Sequence, residues 1–451
     1  MRRNFRSVGQ ALSPVIVVLG LSISLVGCGG GSGHGKSAGA ALLPEAEDSG
    51  SQAVSKSIDL HFYLDASGSM KAFLAAPKVG QNNYFTRVLN KAGDILSESW
   101  NANVSFWRFG EGDPRPLDSE SFSKFLAPSA YTDRSTHIEK AITDKSHAAQ
   151  EPAGSADRRQ VKVIVTDLWQ DKDGAGTLAV LLDNAYLNQE PLAVGVLGVR
   201  SVFHGKVDLS GHSKPDDAAD SMPFYFLISG QAPDVRFAIK HLVDDLKIAD
   251  QDHFQIVFTR RPMDHLLHNL AVTSADKKLG ITQDDRLVPG ARNRFPVLAN
   301  VRHDLKLNMD EAPDEQRMNL GPHIKLGVHP KVTAMAYRKG ESNPDPKAED
   351  QLTVSLNLPR EITIHRSLME ADTMYRFQID LIGDWEQPLA NLDAWNLESA
   401  EEMVNDRFPE DAKGSRPGRT LSLRHFLNVL RLKMRQYETP LARYYLYVQT
   451  N

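Results

Sequence analysis

From Ile58 to Leu64 the chain sets Ile58, Leu60, Phe62 and Leu64 at period two, with Tyr63 adding bulk on the opposite side. The run then breaks off in Asp65-Ala66-Ser67-Gly68-Ser69. A strand that is bulky on both faces belongs between two layers of helices. In open α/β sheets, ligand sites form in the loops beyond the carboxyl ends of such strands. Asp65, Ser67 and Ser69 offer a carboxylate and two hydroxyls, hard oxygen donors of the kind Mg2+ and Mn2+ prefer. Gly68 is expected to let the loop close tightly.

The sequence around this run alternates strand and helix patterns. Tyr84, Phe85, Val88, Leu89, Ala92, Ile95, Leu96 and Trp100 recur at helical spacing, and Val104–Phe109 is a strand ending at Gly110. Residues 133–142 open another helix, and Val161–Thr166 is a strand that ends in Asp167. Thr177–Leu187 is helical, Leu192–Val199 and Phe224–Ile228 are buried strands, and Val235 to Leu246 is a further helix. This alternation predicts an α/β domain over residues 57–250 with a doubly wound, mostly parallel sheet.

Asp65-x-Ser67-x-Ser69, Thr136 in a loop entering a helix, and Thr166-Asp167 after a buried strand follow one another in order. Together they resemble the metal-ion-dependent adhesion site (MIDAS) of von Willebrand factor A (vWA) domains, whose fold is Rossmann-like. The resemblance implies a site for Mg2+ (or Mn2+) made of Asp65, Ser67, Ser69, Thr136 and Asp167. It also implies hydroxyls bound to the ion directly, aspartates acting partly through water, and a last position open to an acidic side chain of a protein partner. Two departures bear on the loops: Leu168 stands where the family usually has Gly, and Arg134-Ser135 precede Thr136 where small glycines are common.

After residue 250 the helix–strand alternation stops. Gln255–Phe258, Ile324–Val328, Val332–Tyr337, Leu352–Leu356, Ile362–Ile364 and Tyr375–Ile382 are short period-two runs separated by turn-rich sequence. They predict a β-rich, sandwich-like domain over 251–390. A mixed segment over 391–451 follows, with an apolar helix face from Leu423 to Tyr437.

The N-terminus carries Arg2, Arg3 and Arg6 before an apolar core that closes in Leu25-Val26-Gly27-Cys28. That core has the length of a signal peptide rather than a membrane span. Its ending resembles the bacterial lipobox, which implies that Cys28 is lipidated and becomes the mature N-terminus of a cell-envelope protein. Gly29 rather than Asp after it favours the outer membrane over the inner, with the folded part periplasmic or surface-exposed. Cys28 is the one cysteine of 451 residues, so no disulfide forms within a chain and stability rests on core burial. Residues 29–56 are Gly-, Ser- and Ala-rich and read as a flexible tether.

A net charge of -5 argues against a nucleic-acid binder. Asp171-Lys172-Asp173-Gly174 lacks the later Glu of a calcium loop, and His265 and His268 lack a third ligand. With no nucleophile elbow, phosphate loop or zinc motif, the chain reads as a binding protein and not an enzyme. The expectation is a lipid-anchored protein that holds a partner through a divalent ion; the alternative is a metal-independent scaffold of an envelope complex.

Overall fold

The computed structural model describes residues 54–55, 57–145, 158–169, 172–204 and 221–260. In the second half it describes 271–272, 282–283, 297–308, 328–338, 345–347, 354–357, 361–383, 385, 389, 392–397, 419–437 and 440–450. Cys28, the tether up to residue 53, Asp171, His265 and His268 lie outside the described residues. Among those described, no helix is long and apolar enough to cross a membrane.

The first sheet is seven-stranded and mixed, in the order β3-β2-β1-β4-β6-β5-β7. Its strands are β1 (Ile58–Asp65), β2 (Asn103–Phe109), β3 (Arg115–Leu117), β4 (Arg159–Thr166), β5 (Leu192–Val202), β6 (Ser221–Gln231) and β7 (His253–Thr259). The helices are α1 (Tyr84–Trp100), α2 (Ser119–Phe125), α3 (Ile138–Thr143), α4 (Lys172–Leu182) and α5 (Ala232–Asp245). α1 starts where the Asn83 side chain accepts the Thr86 N–H at 2.9 Å, a side-chain cap for an otherwise unpaired donor. It stops at Asn101, which takes the left-handed conformation that ends helices (φ 51°).

β1 pairs in parallel with β2 on one side and with β4 on the other. β4 meets β6 antiparallel, β6 meets β5 antiparallel, and β5 meets β7 antiparallel. The expected mostly parallel sheet is therefore only partly realised. The physical reason lies between β5 and β6, where the pattern offers no crossover helix; without one, consecutive strands pair antiparallel. β6 inserts between β4 and β5, and α5 then carries the chain from β6 across to β7. The sheet also runs past residue 250: β7 holds the Gln255–Phe258 run that the period-two pattern grouped with the second half.

Helices cover both faces. Ile58, Leu60, Phe62 and Leu64 pack with residues of α1 and α5 in one apolar cluster. Tyr63, Ile164, Tyr225 and Leu227 point the other way, into a cluster with α3 and α4. This second layer is completed by α6 (Leu423–Tyr437) from near the C-terminus. Leu423, Phe426, Leu427, Leu430 and Met434 of α6, with Trp385, Leu389, Leu392 and Trp395, all belong to that cluster. At its far end Asp183, almost fully buried, accepts the Tyr437 hydroxyl at 2.9 Å and faces Lys433 Nζ at 3.0 Å.

The remaining described strands form two larger sheets and a short parallel pairing of β17 (Asn396–Leu397) with β18 (Thr420–Leu421). With β8 (Ala271–Val272), β9 (Thr282–Gln283), β10 (Val297–Val301), β11 (Leu305–Asn308), β12 (Val328–Arg338), β13 (Asp345–Lys347), β14 (Val354–Asn357), β15 (Glu361–Ile364), β16 (Thr373–Gly383) and β19 (Pro440–Thr450), a six-stranded sheet runs β13-β12-β16-β19-β10-β9 and a four-stranded one β14-β15-β11-β8. Their longest members are β12, β16 and β19. Val332, Phe377 and Leu446 of the larger sheet share a cluster with Leu305 and Ile364 of the smaller, so the two pack face to face. β19 follows α6 directly and lies between β16 and β10. The chain thus returns to the first sheet's face with α6 and goes back to the second sheet with β19.

Because Leu427 is fully buried against the first sheet, Leu427→Ala is expected to cost about 2–5 kcal/mol. Urea unfolding followed by far-ultraviolet dichroism should show one transition displaced as a whole; movement of only part of the signal would mean that α6 is an independent module.

Candidate metal centre

β1 and β4 lie side by side and run the same way, so their carboxyl ends, at Asp65 and Asp167, come out at one edge of the sheet. The chain goes from β1 to β2 on one side and later to β4 on the other. That makes the gap between β1 and β4 the switch point of the sheet, where a crevice opens.

The five residues singled out in the sequence meet there. Asp65 is 1% exposed, Ser67 and Asp167 are buried, Thr136 is half-buried and Ser69 reaches solvent. Asp65 Oδ1 accepts the Ser67 N–H at 2.8 Å, and the Thr136 hydroxyl donates to both Asp65 oxygens at 3.3 Å. The Ser67 and Ser69 hydroxyls lie 3.0 Å apart, and Ser69 in turn bonds to Asp167.

Thr166, which sequence reasoning treated only as the residue before Asp167, takes part too: its hydroxyl donates to Asp65 Oδ2 at 2.8 Å. Pairing of Leu64 with Val165 sets Thr166 beside Asp65, but that register is not visible in the sequence.

A second unforeseen residue, Asp133, joins the loops. Its carbonyl accepts the Gly68 N–H at 2.8 Å and its N–H donates to Ala66 O at 3.3 Å. Its carboxylate accepts from Arg108 at 2.9 Å and from the Glu111 N–H at 3.3 Å. Gly110 makes room for this: a Cβ there would sit 2.0 Å from Asp133 Oδ2. Further on, the His137 N–H donates to Gly110 O, and the three carbonyls of Ala141, Ile142 and Asp144 at the end of α3 accept the buried Lys162 Nζ. Thr136 is therefore fixed on both sides.

The glycine expected to matter does not. Gly68 keeps an ordinary φ, and a Cβ on it would meet only Asp133 O at 3.7 Å. The left-handed residue is instead Leu168, with φ 53°. The turn that the usual glycine would allow is thus kept with a leucine, at a conformational cost of about 1–2 kcal/mol. Burial of the Leu168 side chain among Ala175, Leu178, Leu423 and Phe426 offsets that cost by about 1.5–3 kcal/mol. The Thr166 hydroxyl and Asp167 Oδ1 accept the next two backbone N–H groups, of Leu168 and Trp169.

Electrostatically the centre is unbalanced. Burial, then the neighbouring Asp167, push the Asp65 carboxyl up from its ordinary 3.8 to about 7, against the Ser67 and Thr166 hydrogen bonds that favour the ionised form. Burial also raises Asp167, against the Ser69 hydroxyl and the Trp169 N–H. Among the described residues neither carboxylate has an ion-pair partner, and none forms a cluster of three His, Cys, Asp or Glu side chains. The donors are two carboxylates and three or four hydroxyls, a set whose charge and hardness fit a divalent cation.

Compared with protein-family models, curated protein sequences and solved structures, the chain finds no match.

In metal-free buffer the sign of the pH dependence follows from Asp65. An unfolded chain loses this proton near 3.8, whereas the folded one keeps it until about 7, so the folded state is favoured at low pH and loses stability as pH rises through that window. Urea midpoints measured with EDTA between pH 4.5 and 8 should fall with pH for the wild type and fall less for Asp65→Asn.

Proposed function

We propose that the chain is a lipid-anchored cell-envelope protein whose first domain is of the vWA type and binds a protein partner through a divalent ion, Mg2+ or Mn2+. The observation that carries this reading is the meeting of Asp65, Ser67, Ser69, Thr136 and Asp167 at one sheet edge around two buried, uncompensated carboxylates. When bound, the ion supplies the positive charge that these carboxylates lack and an attachment point for an acidic side chain.

The residues of the chain divide the work. Asp65 and Asp167 provide the charge that attracts a cation into a buried site. Ser67, Ser69 and Thr136 provide neutral oxygens, which leave net positive charge on the ion for an incoming carboxylate. Ser69 is the donor at the surface, so a partner approaches from its side. Thr166 and the Ser67 N–H hold Asp65 in one orientation.

Anchoring agrees with the position of the site. β1 enters the sheet at Ile58, where the Ser55 N–H is tied to Asp234 at 2.7 Å and Arg158 to Asp59 at 2.8 Å. That edge lies the length of β1 away from Asp65, roughly 25 Å at 3.3 Å per residue. A tether reaching the fold there leaves the opposite edge open to a partner.

Calorimetric titration of Mg2+ and Mn2+ into the full chain in detergent should show binding that Asp65→Ala abolishes, and capture of an envelope partner should require the metal. No heat with either ion, together with capture that is indifferent to EDTA and to Asp65→Ala, would sink the reading and leave the metal-independent scaffold. For the anchor, Cys28→Ser should move the protein from the membrane to the soluble fraction on cell fractionation.

A further inference from the structure

Thr136 stands just before α3, and the far end of that helix is bolted to two strands. Lys162 of β4 donates to Ala141 O at 2.9 Å, Ile142 O at 3.0 Å and Asp144 O at 2.9 Å. An ammonium has three protons, and these three carbonyls take them all. Tyr63 of β1 donates its hydroxyl to the Asp144 carboxylate at 2.7 Å, and Lys162 Nζ lies 5.0 Å from the centre of its ring. A third contact comes from the Tyr186 hydroxyl, which donates to Ile142 O at 3.2 Å.

The two strands are the ones that end in the paired carboxylates. Tyr63 comes two residues before Asp65 on β1, and Lys162 four residues before Thr166 on β4. Both side chains are buried, Tyr63 at 0% and Lys162 at 6% exposure. Burying an ammonium is costly, whereas the carbonyls at the end of a surface helix are ordinarily met by water. Here a charged side chain from the sheet replaces that water, and it gives the helix end a fixed address on β4. α3 is only six residues, about 9 Å long at 1.5 Å per residue. Its other end is held by the His137 N–H on Gly110 O at 3.2 Å, next to the Thr136 hydroxyl that reaches Asp65.

We infer that Lys162 and Tyr63 are positioning residues for the ion: by clamping the end of α3 to β4 and β1, they set the Thr136 hydroxyl against Asp65 and Asp167. This rests on the metal-binding reading above. Neither residue touches the ion site, so each acts through the short helix. Residues that orient a metal ligand from behind typically change affinity by about 10–100-fold.

The test uses the full chain in detergent, as wild type, Lys162→Met, Tyr63→Phe and Leu242→Ala. It reads Mg2+ affinity by calorimetry, metal-free stability by urea unfolding, and threonine methyl resonances after selective labelling. The Thr136 methyl is identified by its loss in Thr136→Ala. Lys162→Met and Tyr63→Phe should bind Mg2+ about 10–100-fold more weakly and displace the Thr136 resonance. Leu242→Ala removes a side chain buried with α1 and α5 on the opposite face of the sheet. It should lower the urea midpoint and leave affinity and resonance as in the wild type. Tyr63→Phe keeps the ring and removes only the hydroxyl, so it decides alone if Lys162→Met does not fold. Wild-type affinity in Tyr63→Phe overturns the inference. So does a loss of affinity with the Thr136 resonance in place, or an equal loss in Leu242→Ala. A wild type that binds neither Mg2+ nor Mn2+ overturns the metal reading itself, a separate result in which the Thr136 resonance still reads the clamp.

Discussion

The parallel pairing of β1 with β4 brings two carboxylates to the same edge of a buried sheet, and much of the first domain is arranged around that fact. Asp65 and Asp167 raise each other's electrostatic cost, and burial adds to it. A fold that only needed a stable edge would put an amide or an apolar residue at one of these positions, since buried like charges are expensive and their removal is often neutral or favourable. Retaining both makes sense if a cation is part of the working protein. The surrounding hydrogen bonds are built for the ionised forms: the N–H groups of Ser67 and Trp169 and the hydroxyls of Thr136 and Thr166 all donate to carboxylate oxygens.

Around this pair, rigidity comes from contacts that cross between loops. The β1 loop is locked to the Thr136 segment by the backbone of Asp133, while the carboxylate of Asp133 reaches back to Arg108 and to the turn after β2. The close approach of Gly110 to Asp133 leaves that carboxylate little freedom. Lys162 anchors the other end of α3 by donating to three carbonyls in place of the missing next turn. Its burial pulls its pKa down to about 8, a cost that three hydrogen bonds help to bear. A cluster of short polar side chains needs such a frame, because serine and threonine hydroxyls have little reach of their own.

Much of the donor set was legible in the sequence because its members are local: Asp65, Ser67 and Ser69 share a loop, and Asp167 ends a strand that any period-two reading finds. Thr166, Asp133 and Gly110 were not, since each acts through a residue distant in the chain and its own neighbours give no sign of the contact. Gly68 misled for a related reason. A glycine in a polar loop suggests a special φ, yet the special φ is at Leu168, whose apolar side chain hides it. In the fold, the helical and strand periods located α1, β4, β5 and α6 well. They could not show that β5 and β6 pair directly, or that β7 belongs to the first sheet, because strand order is set by which apolar faces find each other after the turns are made.

The least foreseeable feature is α6, and its consequences reach furthest. Its amphipathic face is plain in the sequence, but a face states only that something must be covered, not what. Here it covers the first sheet, so Phe254, Ile256 and Phe258 of β7 are buried by a helix about 170 residues downstream. A segment cut near residue 260 would leave that face, and the Leu168 side chain next to the Asp65–Asp167 cluster, against water. Since β19 leaves α6 directly for the middle of the six-stranded sheet, neither sheet can complete its core without chain that also serves the other. The two layers of this protein are therefore coupled by connectivity as well as by contact, and the conformation of the Asp167 loop depends on the C-terminal third being in place.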